Sequence, residues 1–230
     1  NPLNLFFDGI DAYTSIPNNT ALTPHLTGGF TIMFWIKLDQ VGAVSHILNK
    51  NATSNSEYTV QIQASGKPIF YFYGNLDATI YQAAEFNTAL VADTWYHIAC
   101  SFDNGSGGLS LIGFINGEDI ISTKTSGGVW SPTVNGTAPL WMGRASTNYS
   151  KIELDEVAVF EDAQPPRIIK AIYSARQVLD LTPYDDLKGW WRMGDTSGPS
   201  VYPTIVDASS NTNDATMNNM LNTDITTDVP

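Results

Sequence analysis

The residues of this 230-residue chain best suited to hold a ligand are aromatic side chains that stand beside amides and charges in polar loops. Flat aromatic faces pack on the C–H faces of a sugar ring, while amide and charged groups reach its hydroxyls. Trp130, between Gly128 and Pro132, is the first candidate platform; Tyr149, Tyr81 and Tyr71 are others, and Asn135, Asn148 and Arg144 are polar partners for them. A competing reading has Trp130 plugging one end of the fold. Carboxylates form a second candidate: the turn Asp8-Gly9-Ile10-Asp11 is dense in oxygen donors, and Ca²⁺ takes six to eight of them. The same residues are also ordinary turn formers. A third cluster, Asp207, Ser209, Asn211, Asn213 and Asp214, alternates oxygen donors but lacks the glycine and distal glutamate of a calcium loop, so its predicted role is side-chain-to-backbone turn bonding.

Other chemistries are poorly served. His25, His46 and His97 are dispersed, and neither a GxSxG elbow nor a phosphate-cradling GxxxxGK[ST] is present. The single cysteine, Cys100, excludes an intrachain disulfide and offers no zinc spacing. Eleven basic against 23 acidic side chains give a net charge of −12, which repels phosphate backbones and anionic bilayers. Nucleic acid is therefore not an expected partner. No apolar run approaches the roughly 20 residues that span a bilayer, and no charged-then-apolar leader opens the chain. The expectation is a soluble protein without membrane insertion. Starting at Asn1, it is expected to be processed or excised from something longer.

The elements that must position these residues are strands. Phe30, Ile32, Phe34, Ile36 and Leu38 alternate with Thr31, Met33, Trp35 and Lys37, giving one apolar face at period two. Residues 58–63 alternate more cleanly, with Thr59, Gln61 and Gln63 predicted to face water. Residues 69–73 are aromatic on both faces. Residues 95–102 and 109–115 read as a hairpin; Asn116-Gly117 then suits a two-residue type I′ turn into a further strand near Glu118. Residues 140–143 and 152–160 read as two more strands. Trp35, Trp95, Trp190 and Trp191 lie within strand patterns and are predicted core, as is His97, with a hydrogen-bonded ring. Pro165 and Pro166 open a short helix near 165–179. Together these predict an all-β, two-sheet antiparallel sandwich. Residues 1–175 form the main sandwich, residues 187–221 a strand segment packed on it within one domain of 1–221, and residues 222–230 a polar tail or linker.

Four local patterns resemble the laminin G-like, concanavalin A-like jelly-roll superfamily in its bacterial and phage branch. Phe7-Asp8-Gly9-Ile10-Asp11-Ala12-Tyr13 is similar to an opening "FDGxDDY" turn, with Ala12 in place of the second aspartate. Residues 30–37 resemble "FTISFWVK". Trp95-Tyr96-His97-Ile98-Ala99 with Ile115-Asn116-Gly117 resembles "WHHIA … YINGE", and residues 152–160 resemble "GxIDEVAIF". The resemblance implies a jelly roll and one Ca²⁺ shared between the opening turn and the "DE" strand. Carried over by position, Asp8 and Asp155 would give side-chain oxygens, with Gly9 and Asp11 adding carbonyl or carboxylate oxygens. Related jelly rolls host laminarinases with paired glutamates, but after Glu153-Leu154-Asp155-Glu156 the second glutamate would fall on Val157 or Ala158. The implied protein is not an enzyme.

The segment Gly189-Trp190-Trp191-Arg192-Met193-Gly194-Asp195, followed by residues 207–211, resembles an element that usually precedes the first strand of such domains. Either the domain is circularly permuted, or this segment begins a further repeat; permutation is preferred, because a sandwich lacking that strand exposes an edge. The arrangement also looks like structural proteins of marine phages. It implies a lectin-like adhesion, fibre or decoration module on a virion surface or outside the cell, with other virion proteins and host-surface glycans as partners. The alternatives are a carbohydrate-binding module of a secreted bacterial protein, or a purely structural capsid or appendage subunit.

Overall fold

The structure, a computed structural model, describes residues 3–24, 28–104, 110–130, 135–175, 179–193, 202–228 and 230. Its strands in chain order begin with β1 (Asn4–Asp8), β2 (Tyr13–Ile16), β3 (Gly29–Leu38), β4 (Ser45–Ala52), β5 (Asn55–Ile62), β6 (Pro68–Tyr73) and β7 (Tyr81–Phe86). They continue through β8 (Trp95–Asp103), β9 (Ser110–Ile115), β10 (Glu118–Ile120), β11 (Ser122–Gly127), β12 (Leu140–Met142), β13 (Arg144–Ala145), β14 (Asn148–Tyr149) and β15 (Lys151–Phe160). Helix α1 (Pro166–Ser174) precedes β16 (Leu187–Trp191), β17 (Thr204–Ile205), β18 (Ala215–Asn218) and β19 (Ile225–Thr226).

Two antiparallel sheets face each other. Sheet A runs β10-β9-β8-β3-β15-β1-β19 with β16 also on β15; sheet B runs β11-β7-β6-β5-β4-β12-β2-β18-β17. β3 shows why: its alternate residues Phe30, Ile32, Phe34, Ile36 and Leu38 are all buried between the sheets. Each such side chain contributes roughly 1.5–3 kcal/mol of apolar burial, so a one-residue slip of β3 would forfeit the whole face. The β9–β10 turn is made by Asn116 and Gly117, both at positive φ (52° and 74°), as a type I′ turn demands. Gly143 (φ +78°) is needed for a different reason: a Cβ there would sit 2.3 Å from the Phe7 ring.

A second, smaller core covers the outer face of sheet A. Met33, Ala99, Phe114, Ala158 and Phe160 are roofed by Ile169 of α1 and by Leu181, Leu187 and Trp190. The helix is shorter than the 165–179 predicted: Pro165 is its N-cap, and it closes at Ser174.

Several expectations are corrected. Thr59, read as facing water, is only 2% exposed; on the outer face of sheet B it donates to Asn49 Oδ1 at 3.1 Å. Trp35 and Trp95 are half-buried on the outer face of sheet A, whereas Trp190 and Trp191 are core. His97 is buried, but its Nδ1 has no hydrogen-bond partner among the described residues. Residues 222–228 of the polar stretch are not a free tail: Ile225 and Thr226 pair with β1, and Asp228 accepts from Lys37, from Trp95 and, through its carbonyl, from Asn4. The segment 187–221 supplies strands to both sheets, β16 beside β15 and β18 beside β2. His25 and residues 131–134 lie outside the described residues.

Candidate functional site

Strand register decides which candidate residues meet. β1 pairs with β15 so that Asp8 stands opposite Lys151, while Asp155 stands opposite Trp35 of β3. Asp155 is thus four residues along the strand from the Asp8 level, about 13 Å at 3.3 Å per residue. The two carboxylates implied to share one Ca²⁺ are not brought together. Each is engaged locally instead. Asp8 Oδ1 accepts the backbone N–H groups of Ile10 (2.8 Å), Ala12 (3.1 Å) and Asp11 (3.2 Å), and closes the turn. Burial acts to raise its pKa, yet those three N–H groups prevail and hold it below the usual carboxylate value. Asp155 is fully buried and accepts Glu156 N–H at 2.8 Å; burial, reinforced by the Glu156 charge, pushes its carboxyl up to about 9. Among the described residues no group of three or more His, Cys, Asp or Glu side chains is placed to hold a metal ion. The donor set Asp8, Gly9, Asp11 and Asp155 does not fit a single ion in this register.

Glu153 and Glu156 are also committed to structure. Glu153 pairs with Lys37 and accepts from Asn4, whereas Glu156, at positive φ in a bulge of β15, accepts Trp190 Nε1 at 2.7 Å and faces Arg192. The Asp207 cluster serves the backbone, as its spacing predicts. Asp207 accepts from the N–H groups of Trp190, Ser209 and Asn213, each within 2.9 Å.

Trp130 and Asn135 stand apart from the Arg144–Tyr149 hairpin. Trp130 is half-buried against the core near one end of the sandwich, its ring 5.5 Å from Phe102, three residues beyond Gly127, the strand partner of Tyr81. Asn135 is exposed next to Gly136, whose N–H reaches Glu57. Tyr71 stacks with Tyr73 and meets Tyr81 edge-on at 5.9 Å, forming an aromatic strip on the outer face of sheet B.

The remaining candidates converge at the opposite end. β13 and β14 form a short hairpin in which Arg144 pairs with Tyr149 and Ala145 with Asn148. The Arg144 guanidinium lies 4.3 Å from the Tyr13 ring, 4.4 Å from Trp141 and 5.4 Å from Tyr149, a three-ring stack. Tyr149 in turn lines a cleft of about 630 Å³ together with Gly9, Val44, His46, Gln61 and Asn148. A narrower recess of about 180 Å³, bounded by Asp8, Gly9, Ser45, Tyr149 and Lys151, adjoins it. The wider cleft carries two exposed apolar side chains, Ile10 (75% exposed) and Val44 (42% exposed). Burial holds the His46 imidazole below its usual pKa, and its Nδ1 has no hydrogen-bond partner among the described residues.

Gly9, read as a cation ligand, thus walls the same cleft as Tyr149 and Asn148, read as sugar contacts, while Asp8 borders the adjoining recess with Tyr149. Tyr13, Trp141, His46 and Gln61 were not singled out by sequence reasoning. Tyr13-Thr14-Ser15-Ile16 does alternate as an exposed-face strand should, but nothing in it shows that Tyr13 meets Trp141, its ring 6.4 Å away.

Two facing antiparallel sheets, a roofing helix and an aromatic cleft in the loops at one end define a jelly-roll sandwich of the lectin-like class. Residues 8–170 match the laminin G-like description within the concanavalin A-like lectin/glucanases superfamily, and the chain belongs to that family. No curated protein matches the chain. Among solved structures, a proposed carbohydrate-binding protein from Bacteroides ovatus is similar over 99% of this chain and 60% of its own, with TM-score 0.66 and 18% identity. The chain therefore spans 60% of the length of that protein. A structure of botulinum neurotoxin type C, whose cell entry depends on interaction with two ganglioside molecules, is similar over 76% of this chain and 42% of its own (TM-score 0.54, 16% identity). At these identities the likeness is one of fold. A Trypanosoma rangeli sialidase matches at TM-score 0.45 and 9% identity, over 64% of this chain and 22% of its own, too remote to bear on activity.

Proposed function

We propose that this chain is a non-catalytic glycan-binding module, displayed on a virion or other extracellular surface, that holds host-surface sugars in the Tyr149 cleft. The observation that carries the reading is the convergence, at one end of the sandwich, of a tyrosine face, amides from Asn148 and Gln61, and an apolar rim from Ile10 and Val44. Such a mixture suits a sugar ring, which has C–H faces and hydroxyl edges. Membership of a lectin-like superfamily supports it. So does the structural commitment of the acidic side chains on β15: Glu153 and Glu156 are tied to basic partners and Asp155 is buried, so that strand offers no retaining pair at about 5–5.5 Å to a substrate. No helix among the described residues is long and apolar enough to cross a membrane.

A glycan-array screen of residues 1–230, repeated with Tyr149→Ala, tests the reading. The expected result is saturable binding by the parent chain that falls at least about tenfold in the variant, the equivalent of roughly 1.4 kcal/mol. Absence of any bound glycan on the folded parent chain would overturn it in favour of a purely structural subunit, and undiminished binding by the variant would move the site away from the cleft.

A further inference from the structure

Resting on the cleft reading, we infer that the glycan is acidic, and that Arg144 is the residue that recognises its carboxylate or sulfate group. The first observation is the distribution of charge partners. Lys37, Lys50, Lys67, Lys151, Lys170, Lys188 and Arg192 each face a carboxylate. Among the described basic residues, Lys124, Arg144 and Arg167 do not, and of these only Arg144 is half-buried; the other two stand in solvent. In a chain of net charge −12 a cation beside the Tyr149 cleft has many acids to choose from, yet no described acid is placed against it.

The second observation is how Arg144 is held. Tyr13, Trp141 and Tyr149 surround the guanidinium at 4.3–5.4 Å, and Nε donates to the Ser146 carbonyl at 2.8 Å. Its Nη groups have no acceptor among the described residues. Rings that fix the plane leave the edge as the usable part of the fork, and that edge matches two oxygens of a carboxylate or sulfate. Because the side chain is already immobilised, little rotamer entropy remains to be lost on binding. The third observation is electrostatic: among the described residues no acid lines the wider cleft, whereas Tyr149 lines it and stacks on Arg144, which stands just behind that wall. Among the described residues the one acid bordering the adjoining recess is Asp8, whose Oδ1 is taken up by turn N–H groups.

The test is calorimetric titration of residues 1–230 with matched-length oligosaccharides of three kinds: an oligogalacturonate, a sulfated galactan and a neutral β-glucan. The expected result is that one acidic series binds at least about tenfold more tightly than the neutral one, as one charge-assisted contact provides. That preference should weaken with added salt and shrink severalfold in Arg144→Lys, which keeps the charge but loses the fork. Comparing the carboxylated and sulfated arms identifies which group is read. Neutral sugar bound as tightly as acidic, or a preference unchanged in both Arg144→Lys and Arg144→Gln, overturns this inference while leaving the glycan reading intact. If no sugar of any kind binds to folded protein, both fall. Melting curves of the two variants separate loss of recognition from loss of fold.

Discussion

Lys50 and Arg144 lie at opposite ends of the sandwich and keep a cation from bulk water in opposite ways. Lys50, near the end of β4, is wholly buried and saturated: Glu57 pairs with it, and Asn18 Oδ1 and the Ala138 carbonyl accept from it at 2.7 and 3.2 Å. Burial draws its pKa down and Glu57 opposes that. Glu57 also accepts from Thr23 and from Gly136 N–H, so the network pins two loops together. Arg144, beside the cleft at the start of β4, is covered by rings but leaves its Nη edge without an acceptor among the described residues. A closed network of this kind specifies structure, whereas a stacked cation with an idle edge is available for a ligand.

The contrast is tested most sharply by removing one member from each end. Glu57→Ala leaves the Lys50 ammonium buried without its counter-ion and is expected to destabilise the fold by about 3–5 kcal/mol, a fall in Tm on the order of 10 °C for a chain of this size. Arg144→Gln forfeits the cation–π contacts and the Nε–Ser146 hydrogen bond, about 1–2 kcal/mol together, or a few degrees. Thermal melts of the two variants check the pair. Equal losses would mean that Arg144 is as structural as Lys50.

Trp130→Ala probes the same end as Lys50 from the apolar side. The ring is half-buried against Phe102, so truncation is expected to cost about 2–3 kcal/mol, below the range for a fully buried tryptophan. Glycan binding at the far end should persist at temperatures below the lowered Tm. Lost binding without lost stability would return Trp130 to the role of sugar platform and dissolve the distinction between the two ends.

Much of the fold was legible in the sequence, because strands with one buried face leave a period-two trace and Asn116-Gly117 is a turn with few alternatives. The site was legible only in fragments. Tyr149, Asn148 and Arg144 announce themselves as aromatic, amide and cation in a loop, but their neighbours Tyr13 and Trp141 come from β2 and β12 and meet them only through sheet register. Register likewise separates Asp8 from Asp155, which motif resemblance had joined. Trp35 and Trp95 illustrate another limit: residue type suggests a core, yet both stand on the outer face of sheet A, Trp35 beneath Tyr173 of α1 and Trp95 beside Lys37 and Asp228. The sheet pairing of Ile225 and Thr226 was invisible because two residues are too few to show a period.

His46 and His97 extend the comparison to titration. Neither imidazole has an Nδ1 partner among the described residues, but His46 borders the cleft, and His97 is buried against Trp35 and Tyr173. Burial takes the His97 pKa from 6.5 down to about 4. Below pH 6.5 the unfolded chain therefore takes up a proton that the folded chain refuses, and stability present above that pH is lost as pH falls toward 4. At 1.36 kcal/mol per pH unit the loss by pH 5 is about 2 kcal/mol. The parent chain should thus lose several degrees more than His97→Asn between pH 7 and 5. Parallel melting profiles would show that protonation of the sealed ring is not resisted.

The smallest expected effect is that of a chelator, and it bears on what holds the cleft end together. A Ca²⁺ ion bound at a hundredfold excess over its Kd would stabilise the fold by about 2.7 kcal/mol, and its removal would lower Tm by roughly 5–10 °C. The turn between β1 and β2 shows another source of order: Asp8 Oδ1 gathers three backbone N–H groups, and Gly9 at φ +76° packs against Lys151 so closely that a Cβ would sit 2.9 Å from the lysine Cβ. An Asx-type turn of this kind needs no ion, so EDTA should leave Tm within about 1 °C. Asp8→Ala, by contrast, should lower it by a few degrees, because the three N–H groups lose their common acceptor. A chelator effect as large as that of Asp8→Ala, reversed by added Ca²⁺, would show that the open end of the sandwich is held by a cation after all.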